Sequence, residues 1–146
     1  DELWRGGYMH TGDVGYVDET GSLKITDRMK DVIKSGGEWV SSLELEGMAS
    51  TVQGVAEVAA IGIPDPKWGE RPLMLVVADD EADSQEILVE IMTEIGNAIA
   101  AGSLPKWCMP DDIRFVDEIA KTSVGKIDKK ALRIGVVYPA EAPDTL

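Results

Sequence analysis

The sequence has few of the residues that build disulfides, metal clusters and histidine-dependent sites. Cys108 is its one cysteine and His10 its one histidine among 146 residues. A single cysteine excludes an intrachain disulfide and a secreted disulfide scaffold, so a reducing, cytoplasmic setting is expected. His10 lacks the partners that a metal site or a Ser-His-Asp triad would need, so no metal site is expected.

Basic residues and long apolar runs are also scarce. The chain carries 14 Lys and Arg residues against 27 Asp and Glu residues, a formal net charge of −13. Such a chain repels a phosphate backbone, so nucleic acid is not an expected partner. No run approaches the roughly 18 apolar residues that span a bilayer, and no transmembrane segment is expected. The acidic stretch at 79–94 lacks the ligand spacing of a calcium loop and is interpreted as a solvated loop and helix face.

The pattern that remains is typical of one globular domain with strands and helices in alternation. Residues 14–26 alternate about a Gly-containing turn and predict a β-hairpin. Ser41 with Glu44, then Asp83, then Asp128 are predicted to begin three helices. Further strands are predicted at 32–34, 55–63, 72–78 and 113–116. Because no long parallel crossover is evident, these elements predict an α+β fold, one small sheet with helices packed on it.

The first two predicted helices each have an apolar face. Apolar residues recur at helical spacing in both helices: Leu45, Met48, Ala49 and Val52 in the first, and Leu88, Ile91, Met92, Ile95 and Ile99 in the second. Gly102 is expected to end the second helix. We therefore expect these faces to pack on the sheet.

Four short segments combine small and charged residues in a characteristic order. They are Tyr8–Asp13, Asp27–Asp31, Ser35–Glu38 and Thr122–Lys130. A glycine beside a lysine, as at 125–126, gives an ammonium group little steric hindrance as it approaches an anion. In order and spacing these segments resemble the carboxy-terminal portion of the acyl-coenzyme A synthetases, members of the adenylate-forming superfamily. The resemblance covers nearly the whole chain, from about residue 4 to 133.

For Lys126 the resemblance implies a catalytic role. The lysine of this motif reaches into the active site of a larger domain and contacts the carboxylate substrate and the α-phosphate of ATP. A cation is needed there because carboxylate attack on phosphorus brings two anions together. Without the resemblance, Lys126 would be interpreted as a solvated turn lysine. Lys129 and Lys130 are interpreted as helix-surface charges.

Asp13 and Arg28 are implied to bind the nucleotide. The resemblance makes Asp13 the acceptor of hydrogen bonds from the ribose hydroxyls of ATP, whereas chemistry alone would make it a turn residue. The fixed fork of Arg28 suits ribose or phosphate oxygens. A surface ion pair of Arg28 with Asp27 or Asp31 is the alternative.

Lys30 occupies the position at which these enzymes hinge. After adenylation the small domain rotates on the large one, which withdraws the lysine loop and presents another face for thioester formation. A hinge requires few residues to change backbone angles, and they need not be small. A plain linker lysine would have the same sequence.

The loop at Gly36, Gly37 and Glu38 is implied to line the tunnel for the pantetheine arm of coenzyme A. For Trp39 we weigh two positions, one bordering the acyl tunnel and one in the core, and favour the core. The segment at 68–72 is assigned to packing, with Arg71 as a candidate peripheral contact for a coenzyme A phosphate.

The resemblance also divides the chain. Residues 1–27 are predicted to end the large domain, 28–135 to form the mobile C-terminal domain and 136–146 to form a tail. The implied cofactors are ATP, coenzyme A and Mg, with the Mg ligands in the missing large domain. The phosphate loop and acyl pocket are absent, so this fragment alone is expected to be inactive. Two alternatives stay open: an adenylating domain with a carrier-protein acceptor, and a non-catalytic α+β interaction module.

Overall fold

The computed structural model describes residues 4–5, 8–9 and 12–137. Its strands are β1 Trp4–Arg5, β2 Tyr8–Met9, β3 Asp13–Val17, β4 Leu23–Arg28, β5 Ile33–Ser35, β6 Glu38–Val40, β7 Val55–Asp65, β8 Gly69–Ala78 and β9 Asp112–Phe115. Its helices are α1 Ser42–Ser50, α2 Ser84–Ala100 and α3 Lys129–Val137, with a short 3-10 helix at Lys106–Cys108. His10 and all but the first two residues of the predicted tail lie outside the described residues.

The predicted hairpin is present as the antiparallel pair β3 and β4. Its turn is closed by Asp18, whose carboxylate accepts hydrogen bonds from the Thr20 hydroxyl and from the backbone of Ser22. Those bonds hold the pKa of the Asp18 carboxyl below its usual value. Several apolar side chains of the hairpin are exposed: Tyr16, Val17, Leu23 and Ile25. The hairpin thus forms from local turn chemistry while its apolar residues remain in solvent.

The main sheet contains five strands in the order β6-β5-β8-β7, with β9 paired to β8. β7 and β8 form a long antiparallel ladder, whereas β8 and β9 are parallel. The α+β class is confirmed, but the expectation of no long parallel crossover is wrong. The reason is that α2 is long enough to carry the chain from the end of β8 back to the start of β9, next to it.

Helices cover both faces of this sheet. On one face α1 and α2 pack with buried residues that include Leu45, Ile91 and Ile95. On the other face α3 packs through Leu132 and Val136 against a second buried cluster of Ile61, Leu73 and Leu75. The alternation of β7 and β8 residues between the two clusters follows from the two-residue repeat of a strand. No helix among the described residues is long and apolar enough to cross a bilayer.

The three predicted helix starts are confirmed. The Ser41 hydroxyl accepts a hydrogen bond from the Glu44 backbone, and Asp83 caps α2 in the same way. The Asp128 carboxylate accepts from the backbone of Ala131, which caps α3. Ile87, a buried residue of α2, was missing from the predicted apolar face.

Several element ends differ from the prediction: β8 begins at Gly69, three residues before the predicted start, and β6 was not predicted. β7 continues through Pro64 to Asp65, because within the described residues it pairs on one side only and the missing N–H of proline costs no ladder bond at an open edge. α3 runs from Lys129 to Val137, and Val136 adds an apolar contact one turn after Leu132.

Candidate functional site

Lys126 lies on a loop that closes on itself. The Thr122 backbone N–H donates to the Lys126 carbonyl at 2.7 Å, and that of Gly125 donates to the Thr122 carbonyl at 2.9 Å. Gly125 has a φ of 82°, a conformation that favours glycine. A bridge between Lys121 and Ile127 closes the base of the loop. Lys126 is exposed, so a tightly turned backbone carries its side chain in solvent.

Lys129 lies three residues further on and is buried, so its interpretation as a surface charge is wrong. It is only 8% exposed. Its ammonium group donates to Ser42 Oγ at 2.7 Å and forms an ion pair with Glu46 Oε1 at 2.5 Å. The cause is the packing of α3: Lys129 shares the helix side of Leu132 and Val136, which faces the sheet and α1. Lys130, one position on, is exposed.

Asp27 completes this buried cluster, which we call the Asp27 cluster: Asp27, Ser42, Glu46 and Lys129. The Asp27 carboxylate accepts from both the backbone N–H and the hydroxyl of Ser42 at 2.7 Å. Burial raises the pKa of the Glu46 carboxyl, while the bond from Lys129 opposes that shift. The ammonium group of Lys129 therefore pairs with the Glu46 carboxylate, and the Ser42 hydroxyl links it to the Asp27 carboxylate.

Asp13 and Arg28 lie directly opposite each other across β3 and β4. Both side chains are exposed, and Gly12 is joined to Met29 by a 2.6 Å backbone hydrogen bond. Among the described residues Arg28 makes no ion pair with Asp27 or Asp31, and Asp27 is occupied by Ser42 instead. The fold thus brings the two predicted nucleotide residues together at one end of the hairpin.

Lys30 lies beside this pair. A shallow cavity of about 390 Å³ is lined by Gly12, Arg28, Met29 and Lys30. Lys30 is exposed and occupies a turn between β4 and β5. The predicted hinge residue is therefore next to the predicted nucleotide residues, whereas Lys126 is not among the described residues that line this cavity.

The Gly36-Gly37 pair forms a two-residue turn between β5 and β6. Both residues have positive φ, 58° and 82°, as the preferred hairpin turn requires. A Cβ on Gly36 would lie 2.8 Å from Cε3 of Trp68, whereas one on Gly37 would meet nothing within 4 Å. Glu38 is exposed, and Trp39 is 49% exposed, so the favoured core position of Trp39 is wrong. Gly36 is packed on one side, and Gly37 faces open space.

Arg71 connects the start of this turn to the segment that follows α2. Its guanidinium donates to Ser35 Oγ and to the Trp107 carbonyl, both at 3.0 Å, and to the Met109 carbonyl at 2.8 Å. It also forms an ion pair with Asp111 at 2.9 Å. All three guanidinium nitrogens are engaged within the protein, and the side chain is 12% exposed and lines the cavity beside the turn.

A cavity of about 440 Å³ adjoins the Gly36-Gly37 turn. Its walls include Ser35, Gly36, Glu38, Trp68 and Trp107. Within the described part of the chain, no group of three or more His, Cys, Asp or Glu side chains is placed to hold a metal ion. These segments therefore present an exposed ammonium group, an exposed carboxylate and a turn of two glycines.

Sequence reasoning missed Asp27, Ser42 and Lys129 as a connected group. The available signal was the spacing of Lys129 from Leu132 and Val136, which places all three on one helix face. Nothing local in the sequence distinguishes Asp27 from other turn-adjacent acids.

Several known proteins are similar to this chain in sequence and in fold. Residues 44–126 match the family model described as the AMP-binding enzyme C-terminal domain. The chain is 44% identical over 133 residues to a 3-methylmercaptopropionyl-CoA ligase of Ruegeria lacuscaerulensis, a match that covers 90% of this chain and 23% of that protein. It is 46% identical over 127 residues to a long-chain-fatty-acid–CoA ligase of Thermus thermophilus, with coverage of 87% and 22%.

A solved structure gives the same result in three dimensions. ATP-bound MatB from Rhodopseudomonas palustris matches with a TM-score of 0.72 at 33% identity, covering 90% of this chain and 25% of that one. The chain spans about a quarter of the length of these relatives. Because the family model matches more than half of its residues, the chain belongs to the family of C-terminal domains of AMP-binding enzymes.

Proposed function

We propose that this chain is the C-terminal part of an AMP-forming acyl-coenzyme A synthetase. The complete enzyme would join a carboxylic acid to ATP, giving an acyl-adenylate and pyrophosphate, and then transfer the acyl group to coenzyme A with release of AMP. The observation that carries the proposal is the exposed Lys126 on a closed loop, within a domain that matches this family. The printed names of the relatives favour a fatty or related acid as the substrate.

Lys126 would act in the first half-reaction. An ammonium group held by a closed loop costs little reorganisation when it meets the carboxylate and the α-phosphate. Its charge would stabilise the negative charge that accumulates as the carboxylate oxygen attacks phosphorus. Pyrophosphate is the leaving group. Mg²⁺, which accompanies ATP, would be bound by the large domain, since the described residues offer it no ligand cluster.

Asp13 and Arg28 would hold the nucleotide during this step. Their positions opposite each other on β3 and β4 place an acceptor and a forked donor at the same end of the hairpin. The carboxylate would accept from the ribose hydroxyls, and the guanidinium would donate to ribose or phosphate oxygens. ATP use by the family is consistent with the ATP-bound relative.

The second half-reaction would use the Gly36-Gly37 turn. Rotation about Lys30 would replace the Lys126 loop with this turn, so that Gly37 and Glu38 line the path of the pantetheine arm. Open space above Gly37 supports this assignment because a narrow ligand can approach the backbone there. The half-exposed Trp39 is available to border the acyl tunnel.

The division of the chain is also a proposal. Residues 1–27 would end the large domain, 28–135 would form the mobile domain and 136–146 would be a tail. The exposed apolar side chains of the hairpin support a missing neighbour, because the large domain would cover Tyr16, Leu23 and Ile25. The bonds from Ser42 of α1 to the Asp27 carboxylate support a boundary close to Asp27.

The test is to assay the full-length protein and this fragment in parallel. The full-length protein should release pyrophosphate when given a fatty acid and ATP, and should form a thioester only when coenzyme A is added. The fragment should do neither. Acyl transfer to a carrier-protein thiol in place of coenzyme A would identify a different acceptor, and absence of pyrophosphate release with a panel of carboxylic acids would refute the proposal.

A further inference from the structure

The ammonium group of Lys129 is buried, which is rare for a lysine side chain. It is 8% exposed at the first position of α3, three residues after Lys126. Removing an ammonium group from water is costly unless it is paired and hydrogen-bonded. Here both conditions are met, by Glu46 and by the Ser42 hydroxyl. An apolar residue would fill the same place at lower cost, so packing alone does not account for a lysine.

A short series of hydrogen bonds connects the segment of Lys129 to the loop that carries Lys126. The Asp128 backbone N–H donates to the Ala120 carbonyl at 2.8 Å, and its carboxylate caps α3. Ile127 bridges to Lys121, whose ammonium in turn forms an ion pair with Glu57 of β7 at 2.5 Å. These bonds fix the base of the loop to α3 and to the sheet. A shift in the first turn of α3 would therefore move Lys126 as well.

A second series of hydrogen bonds connects Lys129 to Asp27, near the end of the β3–β4 hairpin. The Ser42 hydroxyl accepts from Lys129 and donates its single hydrogen to Asp27, so the three groups form one directed chain. Asp27 precedes Lys30 in the sequence and Ser42 follows it. The Asp27 cluster thus joins segments on both sides of the proposed hinge to the helix that follows Lys126.

We propose that Lys129 is a positioning residue for Lys126, acting through the Asp27 cluster to hold the catalytic loop in a fixed orientation relative to Asp27 and the hinge. This inference rests on the proposed function of Lys126. Lys129 itself touches neither ATP nor the acid, because its ammonium group is enclosed by Ser42 and Glu46. It serves the adenylation step, the one step in which Lys126 acts.

The charges in the Asp27 cluster determine how the replacement of Lys129 should affect the orientation of the Lys126 loop. With Lys129 present, its ammonium group pairs with the Glu46 carboxylate and is linked to the Asp27 carboxylate through the Ser42 hydroxyl. Replacing it by Met preserves most of the side-chain volume but leaves the buried Asp27 carboxylate and the partly buried Glu46 carboxylate with no cation in the cluster. The start of α3 would also lose the ion pair and the hydrogen bond that join it to α1. Adding Glu46→Gln removes one of those charges and should restore part of the lost orientation.

The test uses the full-length enzyme with Lys129→Met, the double variant Lys129→Met/Glu46→Gln, and Lys126→Ala as the reference. Lys130→Met is the matched control, because it removes the same charge one position away on the exposed side of α3. Adenylate formation, thioester formation from supplied acyl-adenylate and thermal unfolding are measured for each variant. Rates are compared at a temperature well below every unfolding midpoint.

We expect Lys129→Met to lower kcat for adenylation about ten- to a hundredfold, the scale of a small misplacement of a reacting group. KM for ATP and thioester formation should stay within about twofold, because the lost interaction belongs to the transition state of the first step. The double variant should recover part of the rate, and Lys130→Met should match the wild type. A folded Lys129→Met enzyme with wild-type adenylation, or with both half-reactions slowed equally, would overturn the inference.

Two further outcomes remain informative. If Lys126→Ala does not slow adenylation, the proposed function fails, whatever Lys129 does. If Lys129→Met does not fold, Ser42→Ala provides the test, since it removes only the hydroxyl that links Lys129 to Asp27. Selective loss of adenylation in Ser42→Ala supports the inference, and wild-type adenylation in that variant contradicts it.

Discussion

Gly36 and Trp68 are in direct contact, although 32 positions separate them in the sequence. The Gly36 backbone N–H donates to the Trp68 carbonyl at 2.7 Å, and the indole ring covers the place where a Cβ would lie. The neighbouring Gly37 has a positive φ as well but meets nothing. The fold therefore requires the two glycines of this turn for different reasons: Gly36 for its backbone angle and for space, and Gly37 for its backbone angle.

The first prediction compares alanine at these two positions. Both substitutions should cost about 1–2 kcal/mol of unfolding free energy, because an L-residue is strained at positive φ. Gly36→Ala should cost more than Gly37→Ala, since its methyl group would also displace the Trp68 ring. Urea denaturation of the two variants measures the difference. Equal losses would mean that the ring moves aside without cost.

The second prediction concerns Lys126. In the full-length enzyme, Lys126→Ala should slow acyl-adenylate formation by about a hundred- to a thousandfold, the usual effect of removing one preorganised group that stabilises transition-state charge. Thioester formation from supplied acyl-adenylate should be comparatively intact. Pyrophosphate release and acyl-coenzyme A formation are measured separately, with Lys130→Ala as the control. An equal fall in both half-reactions would show that the assigned role is wrong.

The third prediction is the opposite pattern for the hinge and the turn. Lys30→Pro fixes φ at the proposed pivot, and Gly37→Leu places a side chain in the open space above the turn. Both should spare pyrophosphate release and suppress thioester formation. Lys30→Ala is the control, because it removes the charge and keeps the backbone free. Unimpaired thioester formation in both variants would remove the case for a hinge and a tunnel.

Local chemistry in the sequence was enough to predict much of the fold. Ser41, Asp83 and Asp128 mark the helix starts because capping depends on residues two or three positions away. The hairpin at 13–28 follows from its own turn in the same way. These features need no information from distant parts of the chain.

What the sequence could not predict depends on distant partners. Arg71 is bonded to Ser35, Trp107 and Asp111, which no local pattern connects. Lys129 stands beside Lys130 in the sequence, and only the packing of α3 on the sheet and α1 decides which of the two is buried. Burial of a charge is a tertiary property, so neither the local sequence nor the resemblance indicated that Lys129 is buried.

The last prediction concerns pH and Cys108, which lies in the 3-10 helix and is 3% exposed within the larger buried cluster. Burial is the main cause that raises the pKa of its thiol from 9.0 to about 11, while nearby Arg71 opposes the shift. As pH rises through 9, the thiol of the unfolded chain ionises while that of the folded chain keeps its proton. The unfolded state is therefore favoured progressively, and the stability contributed by the protonated thiol is lost between about pH 9 and 11.

Cys108→Ala provides the comparison, because it keeps every other titrating group and removes this one. Urea unfolding of the wild type and the variant at a series of pH values should give parallel curves up to about pH 9. Above that pH the wild type should lose stability more steeply, although the variant starts lower because of the cavity it creates. Parallel curves across the whole range would show that the thiol ionises as readily in the fold as in the unfolded chain, contrary to its burial.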